Sequence, residues 1–308
     1  MHSRWFNITV VVAWLVTMSW LVTEKVLPPM LLGEPPSYSK IIEAEDDAPP
    51  TGWKISADGR SIGWALTDVE RQPTGLTEIY GRVHFDHLPL GKLMTGWIEP
   101  LARLFVKLPD SPTMDARSVL VISPFGRLER FDSAVALGPG TELVNVHGTV
   151  EGKQVQLLVR AGDVNLPAYY APLPANALLS DALTPQTHLP GLKAGQTWTV
   201  PIYSPLPSKQ PLEVIRATVE GEEPLFWNGK METALLVVYR SESGISALQA
   251  PKGRLWVRSD GLVLQQQAVF FDLELSFVRM TDKEAEAQVE SAGEHWWNLN
   301  LIPGGSGR

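Results

Sequence analysis

The 308 residues contain no cysteine. That absence excludes disulfides, a thiolate nucleophile, Cys-ligated zinc, iron–sulfur clusters and an acylated N-terminal Cys. Positive charge is also scarce: 26 Lys and Arg stand against 34 Asp and Glu, a formal charge of −8. A bulk nucleic-acid binder needs a basic footprint, so no nucleic-acid partner is expected. Missing too are a G-x-S-x-G elbow, a Walker-type loop and a His-x-Glu metal signature. The strand–helix rhythm of a parallel α/β sheet does not occur. What remains is 44% hydrophobic and 19% charged, the composition of a folded protein.

One long uncharged run stands out. Trp5 to Thr23 reads WFNITVVVAWLVTMSWLVT. As a helix it would be roughly 28 Å long, close to the hydrocarbon thickness of a bilayer. Trp5 and Trp20 lie near its ends, where indole favours the membrane interface. Arg4 and the α-amino group precede it, while Glu24 and Lys25 cancel after it. The expectation is a single-pass signal anchor over 5–23, with residues 1–4 cytoplasmic and the bulk of the chain outside. A cleaved signal peptide and a buried core helix are the competing readings.

A spacer, a body and a tail follow. Residues 24–51 hold six prolines and the acidic cluster Glu43, Glu45, Asp46 and Asp47, which predicts an extended linker. The tail, 281–308, opens with a helical DKEAEAQVE and ends in PGGSGR. Most of the negative charge lies in these flanks. The body, 52–280, carries 23 acidic and 21 basic residues, a balance of only −2.

The body reads as strands. In 79–85, Ile79, Val83 and Phe85 alternate with Tyr80, Arg82 and His84, the period of a half-buried strand. Residues 63–71 are its expected hairpin partner. Further strands are predicted over 117–123, 128–137, 141–151, 153–160, 196–204, 212–220, 231–240, 253–258, 261–271 and 272–279. Asn228-Gly229 and Asp260-Gly261 are turn dipeptides, because glycine supplies positive φ. Helical spacing over 93–107, and a shorter stretch over 175–183, predict two helices. The expected fold is mainly β: an N-terminal transmembrane helix, then an antiparallel, strongly curved sheet or partly open barrel with one or two short helices.

Candidate chemistry is thin. His84-Phe85-Asp86-His87 holds two imidazoles and a carboxylate, but strand geometry sends the two rings to opposite faces. A strand-end pair is expected there, and no metal. Glu222-Glu223 beside Pro224 reads as turn residues. No catalytic residue and no cofactor are expected. Trp198, Trp227 and Trp256 are weighed two ways: as core and strand-end seals, and as the lining of a lipid or peptide groove.

Residues 189–280 combine LPGLKAGQTWTVPIYSPL, VEGEEPLFWNGKMETALLVVYR and GRLWVRSDGLVLQQQ with an earlier Gly52-Trp53 and Ile62-Gly63-Trp64-Ala65-Leu66. This pattern resembles uncharacterised single-pass bacterial envelope proteins with a β-domain of unknown function, and more distantly the lipoprotein-carrier open barrels. The resemblance carries over no catalytic residue, and with the anchor it leads to an expected inner-membrane location. The expected function is non-enzymatic binding of a lipid, lipoprotein or envelope component by a tethered β-domain. A structural subunit of an envelope complex is the second reading, and a hydrolase or transferase with a dispersed site the third.

Overall fold

The computed structural model describes residues 4–23, 43, 48–87, 112–138, 142–173, 178–179, 184–203, 212–241, 250–270, 273–293 and 295–299. The expected helix over 93–107 lies outside them. Within 175–183 the described pair Leu178–Leu179 is strand, not helix.

Helix α1 spans Arg4–Leu21. Its hydroxyls bond back into the helix, Thr17 Oγ1 to the Ala13 carbonyl at 2.8 Å and Thr23 Oγ1 to the Ser19 carbonyl at 2.9 Å. The expected crossing over 5–23 is not supported at this level. Among the described residues no helix is long and apolar enough to cross a membrane. Arg4, Asn7 and the scattered Ser and Thr dilute the apolar run.

Among the described residues the body forms one sheet of 16 strands. Seven form its N-terminal half: β1 (Thr51–Ala57), β2 (Arg60–Arg71), β3 (Thr77–Phe85), β4 (Met114–Ile122), β5 (Leu128–Leu137), β6 (Glu142–Glu151) and β7 (Gln154–Ala161). Short β8 (Val164–Asn165), β9 (Tyr169–Pro172) and β10 (Leu178–Leu179) follow. Then come β11 (Thr197–Tyr203), β12 (Leu212–Trp227), β13 (Lys230–Ser241), β14 (Gly253–Arg258), β15 (Val263–Phe270) and β16 (Leu273–Arg279). Helix α2, Asp282–Ala292, follows β16.

The order is β10-β11-β12-β13-β14-β15-β16-β1-β2-β3-β4-β5-β6-β7-β8, with β9 also on β7. Among the described strands every pair is antiparallel except β10–β11. Short hairpin connections dictate this meander, because parallel neighbours would need long crossovers. The first and last long strands meet mid-sheet, with Trp53 opposite Arg279 and Ile55 opposite Phe277. The sheet curls but does not close.

Bulges adjust which side chains face inward. Ile55 pairs with Gly63 while Ser56 pairs with Ser61, so Ile62 is an extra residue and turns inward beside Gly63 and Ala65. Another bulge lies between Val219 and Gly221, where Gly221 has φ 152°. It corrects the turn expected at Glu222-Glu223-Pro224, which runs inside β12 as far as Trp227. Pro224 is tolerated because the pairing of β11 stops at Thr218, leaving that stretch of β12 as an edge.

The inner face is the main core. Trp53, Phe85, Leu189, Phe277, Val257 and Val263 are among its fully buried members. A second cluster around Phe131, Ile122 and Val155 continues it toward β7. Segment 184–192 runs inside the curl. Its Thr187 carbonyl accepts from Val263 N at 3.0 Å, and Leu189 N donates to the Gly261 carbonyl at 2.7 Å. A side chain at Gly81 would meet Ser118 Oγ at 2.8 Å and Thr184 Oγ1 at 3.2 Å, so glycine there makes room for this segment.

Candidate functional site

The two expected tryptophan roles depend on where each indole sits. Trp198 lies on the inner face of β11 within the main core. Trp227 ends β12, and its Nε1 donates to the Arg279 carbonyl at 2.8 Å. Trp256 lies on β14, and its Nε1 donates to Glu223 Oε2 at 3.2 Å. Trp198 is thus in the core, while the other two N–H groups already hold protein acceptors.

The Gly52-Trp53 and Gly63-Trp64-Ala65-Leu66 motifs pair across β1 and β2, Gly52 facing Leu66 and Trp53 facing Ala65. Trp53 fills the core. Gly52, on the outer face, admits α2: a Cβ there would meet Met280 Sδ at 2.7 Å and Ala285 Cβ at 3.1 Å. Trp64 stacks on His84 at 5.4 Å, and the Arg82 guanidinium lies 5.1 Å from its ring centre.

Titratable groups converge on the outer face of β2 to β6. Asp115 is the hub. Its Oδ2 accepts from Arg82 Nη2 at 2.7 Å and Nε at 3.0 Å, and its Oδ1 accepts from Arg117 Nε at 2.8 Å. His84 Nδ1 lies 3.2 Å from the same Oδ2. Burial alone would raise the Asp115 carboxyl. Hydrogen bonds from His84 and Arg82, the Arg82 charge and the Arg117 bond outweigh it and hold the pKa at about 2, against an ordinary 3.8. Beside this hub, the Tyr80 hydroxyl donates to Glu78 Oε2 at 2.5 Å. Burial first, then the Glu78 bond and the charges of Glu78 and Glu70, push the Tyr80 hydroxyl well above its ordinary range.

The chain after β16 straps this belt. Arg117 Nη1 donates to the Asn298 carbonyl at 2.6 Å, and Arg82 Nη1 to the Ala292 carbonyl at 3.3 Å. Trp297 stacks on Tyr80 at 4.6 Å, and Trp296 is buried against Leu66 and Tyr80. His295 carries φ 134°, a conformation that side chains rarely adopt, and stacks on Trp297 at 5.9 Å.

A second His–carboxylate pair lies one strand further. Asp132 on β5 faces His147 on β6, with Asp132 Oδ1 2.6 Å from His147 Nδ1. His147 Nε2 lies 3.2 Å from Thr149 Oγ1. An Asp holding Nδ1–H leaves Nε2 to accept from a hydroxyl, the order of an acid–base–nucleophile relay. A relay also needs donors for the charge that develops on the substrate. Here β6 is flanked by β5 and β7, so the backbone amides around Thr149 are engaged in the ladders. The half-exposed trio lies on the outward face of a sheet and does not by itself make an acyl-transfer site.

His84 also lies 3.6 Å, through Nε2, from Asp86 Oδ1, and His87 is exposed past the end of β3. Among the described residues no three His, Asp or Glu side chains group as metal ligands. Sequence reading did not find the Asp115 hub or the Asp132–His147 pair. Both are cross-strand, and the usable signal was the alternation of polar positions along each strand.

No protein-family model and no curated protein matches the chain. Among solved structures it is similar to a β-barrel-like protein of domain of unknown function DUF1849 from Brucella abortus. That match has 8% identity over 75% of this chain and 95% of the other, with a TM-score of 0.43. It is also similar to the hypothetical lipoprotein YmcC from Escherichia coli K12, with 11% identity over 78% and 88% of the two chains and a TM-score of 0.29.

Proposed function

We propose that this chain is a membrane-tethered β-domain of the bacterial envelope that acts by binding a lipid, lipoprotein or envelope protein and not by catalysis. The observation that carries the tether is the surface of α1. Phe6, Val10, Val11, Val12, Trp14, Leu15, Val16, Met18, Trp20 and Leu21 are all exposed. Residues 10–16 alone point in every direction around the helix, and an apolar surface all round suits lipid better than water. The tether reading has the N-terminus cytoplasmic and the body outside the inner membrane.

The test is fractionation of the full-length chain. Retention in the membrane pellet through alkaline carbonate is the expected result for an integral anchor. Release by carbonate reduces α1 to a surface-lying helix. A soluble chain beginning near residue 24 overturns the tether. For the binding role, solvent extraction of the purified protein should yield co-purifying lipid, and a brominated lipid should quench Trp227 or Trp256 more than the core Trp198.

One observation favours the assembly reading. Leu158, Val164, Leu166, Tyr169 and Tyr170 are all exposed around β7 to β9, at one end of the sheet. Cross-linking in intact cells followed by mass spectrometry would give a stoichiometric envelope protein attached at this end. Loss of that product in Tyr169→Ser with Tyr170→Ser would assign the contact.

A further inference from the structure

The turns of a meander fall alternately at its two ends, and the register says which turns share an end. Thr51, where the chain arrives from α1 and the spacer, faces Thr67 near the end of β2. The β2–β3 and β4–β5 turns lie at that end, because Arg71 faces Thr77 and Thr77 faces Ile122. The two turns touch: a side chain at Gly75 would meet Pro124 Cγ at 3.2 Å. The β12–β13 tip reaches the same place, since Trp227 Nε1 bonds the Arg279 carbonyl and Arg279 faces Trp53, two residues from Thr51.

These tips are unusually apolar for exposed turns. Phe125, in the β4–β5 turn, is 85% exposed. Phe226 and Met231 face each other across the β12–β13 hairpin and are 68% and 62% exposed. Among the described residues none of the three belongs to a core cluster, and each costs free energy in water. Cations accompany them in sequence, Arg127 after Phe125 and Lys230 before Met231, with Lys230 also 2.7 Å from Glu232. Glu129 and Glu223 lie near the same tips, so it is the apolar side chains, not a net positive charge, that match a bilayer interface, where rings enter the headgroup boundary.

We propose that this end of the sheet rests on the bilayer that holds α1, with Phe125, Phe226 and Met231 entering its interfacial layer. The proposal deepens the tether reading and rests on it. The spacer then lets the body settle back onto the membrane instead of holding it away. The same geometry orients the opposite end of the sheet, with the β1–β2 turn, away from the lipid.

The cysteine-free chain makes the test clean. Full-length Phe125→Cys, Phe226→Cys and Met231→Cys would each carry one environment-sensitive fluorophore, in vesicles of phosphatidylethanolamine and phosphatidylglycerol. Arg60→Cys, exposed at the other end of the sheet, serves as the water reference, and Val12→Cys reports α1. All five sites are exposed, and circular dichroism confirms that the sheet is kept. With a quencher on shallow acyl carbons, labels at 125, 226 and 231 should be quenched at least about twofold more than the label at 60. Iodide in the water phase should give the reverse order. If the three labels behave like position 60 while position 12 is quenched by lipid, the docking proposal is wrong and the tether stands. If position 12 is also unquenched by lipid, the tether fails and the docking fails with it.

Discussion

The two faces of β2 to β5 are both covered by the chain's own segments, but by different physics. Inward, β3 presents Ile79, Val83 and Phe85 to an apolar core that 184–192 fills with Leu189. That segment is held mainly by backbone hydrogen bonds to β15 and the turn before it. Outward, the same strand presents Glu78, Tyr80, Arg82 and His84. The strap over them is held by two arginines on backbone carbonyls and by indole stacking. Inner burial needs only volume and hydrophobicity. Outer burial needs ionised groups in fixed geometry, because an unpaired charge there is costly. The inner cover should therefore be insensitive to pH and the outer one sensitive.

The largest effect is expected from the inner face. Phe277 is fully buried opposite Ile55. Phe277→Ala should lower global stability by about 3–5 kcal/mol through lost transfer and a cavity, with the denaturation midpoint shifted equally at pH 7 and pH 5. A pH-dependent loss would break the contrast between the faces. Next comes the outer hub. Asp115→Ala strands Arg82 and the nearly buried Arg117, and should cost roughly 3 kcal/mol. Limited proteolysis should cut this variant first within 293–299, where the strap begins.

The pH dependence follows from the same group. Asp115 is depressed to about 2 in the fold from an ordinary 3.8. A depressed carboxyl contributes stability that is complete above the unfolded value and lost as pH falls through the folded one. About 2 kcal/mol should therefore disappear between pH 4 and pH 2. Asp115→Asn should flatten that limb of an acid titration followed by near-UV circular dichroism. An unchanged limb would show that the hub does not hold the strap. A smaller effect is expected at the stack: Trp297→Ala should cost about 1–2 kcal/mol and free the strap to proteolysis without moving the core midpoint further.

Much of the inner face was legible in the sequence and little of the outer one. Alternating apolar positions located the strands, and Asn228-Gly229 and Asp260-Gly261 fixed two hairpins because Gly229 and Gly261 have φ of 77° and 92°. Strand β1 was not assigned, although it pairs with β2 across Asp58-Gly59, a turn dipeptide with φ of 49° and 73° that was a usable local signal. The run through Pro224 was misread because an edge position, which forgives proline, is a property of the neighbours and not of the residues. The hub and the Asp132–His147 pair depend on register across hairpins. A shift of one residue would turn every polar side chain to the other face, and no spacing within a single strand reveals which carboxylate meets which imidazole.

The smallest expected effect tests whether the strap depends on α2. Glu284 closes a capping box: Thr281 N donates to Glu284 Oε2 at 3.0 Å, and Glu284 N donates to Thr281 Oγ1 at 3.3 Å. Its other oxygen lies 2.6 Å from Lys54 Nζ, tying the helix to β1. The Lys54 bond first, then the Thr281 backbone bond, hold its carboxyl at about 2 against an ordinary 4.5. Both partners are largely exposed, so water screens the pair, and Glu284→Gln should cost only about 0.5–1 kcal/mol. A Gln can still accept from the Thr281 amide, which isolates the ion pair from the cap. The contribution of Glu284 should fade as pH falls below 4.5 and shrink in high salt, unlike the inner core. If Glu284→Gln frees 293–299 to protease as fully as Asp115→Ala does, the strap is held by its helix and not by the arginines. If protection is kept, the anchoring lies in Arg117 on the Asn298 carbonyl and Arg82 on the Ala292 carbonyl at the end of α2, and the Lys54 pair is not needed for it.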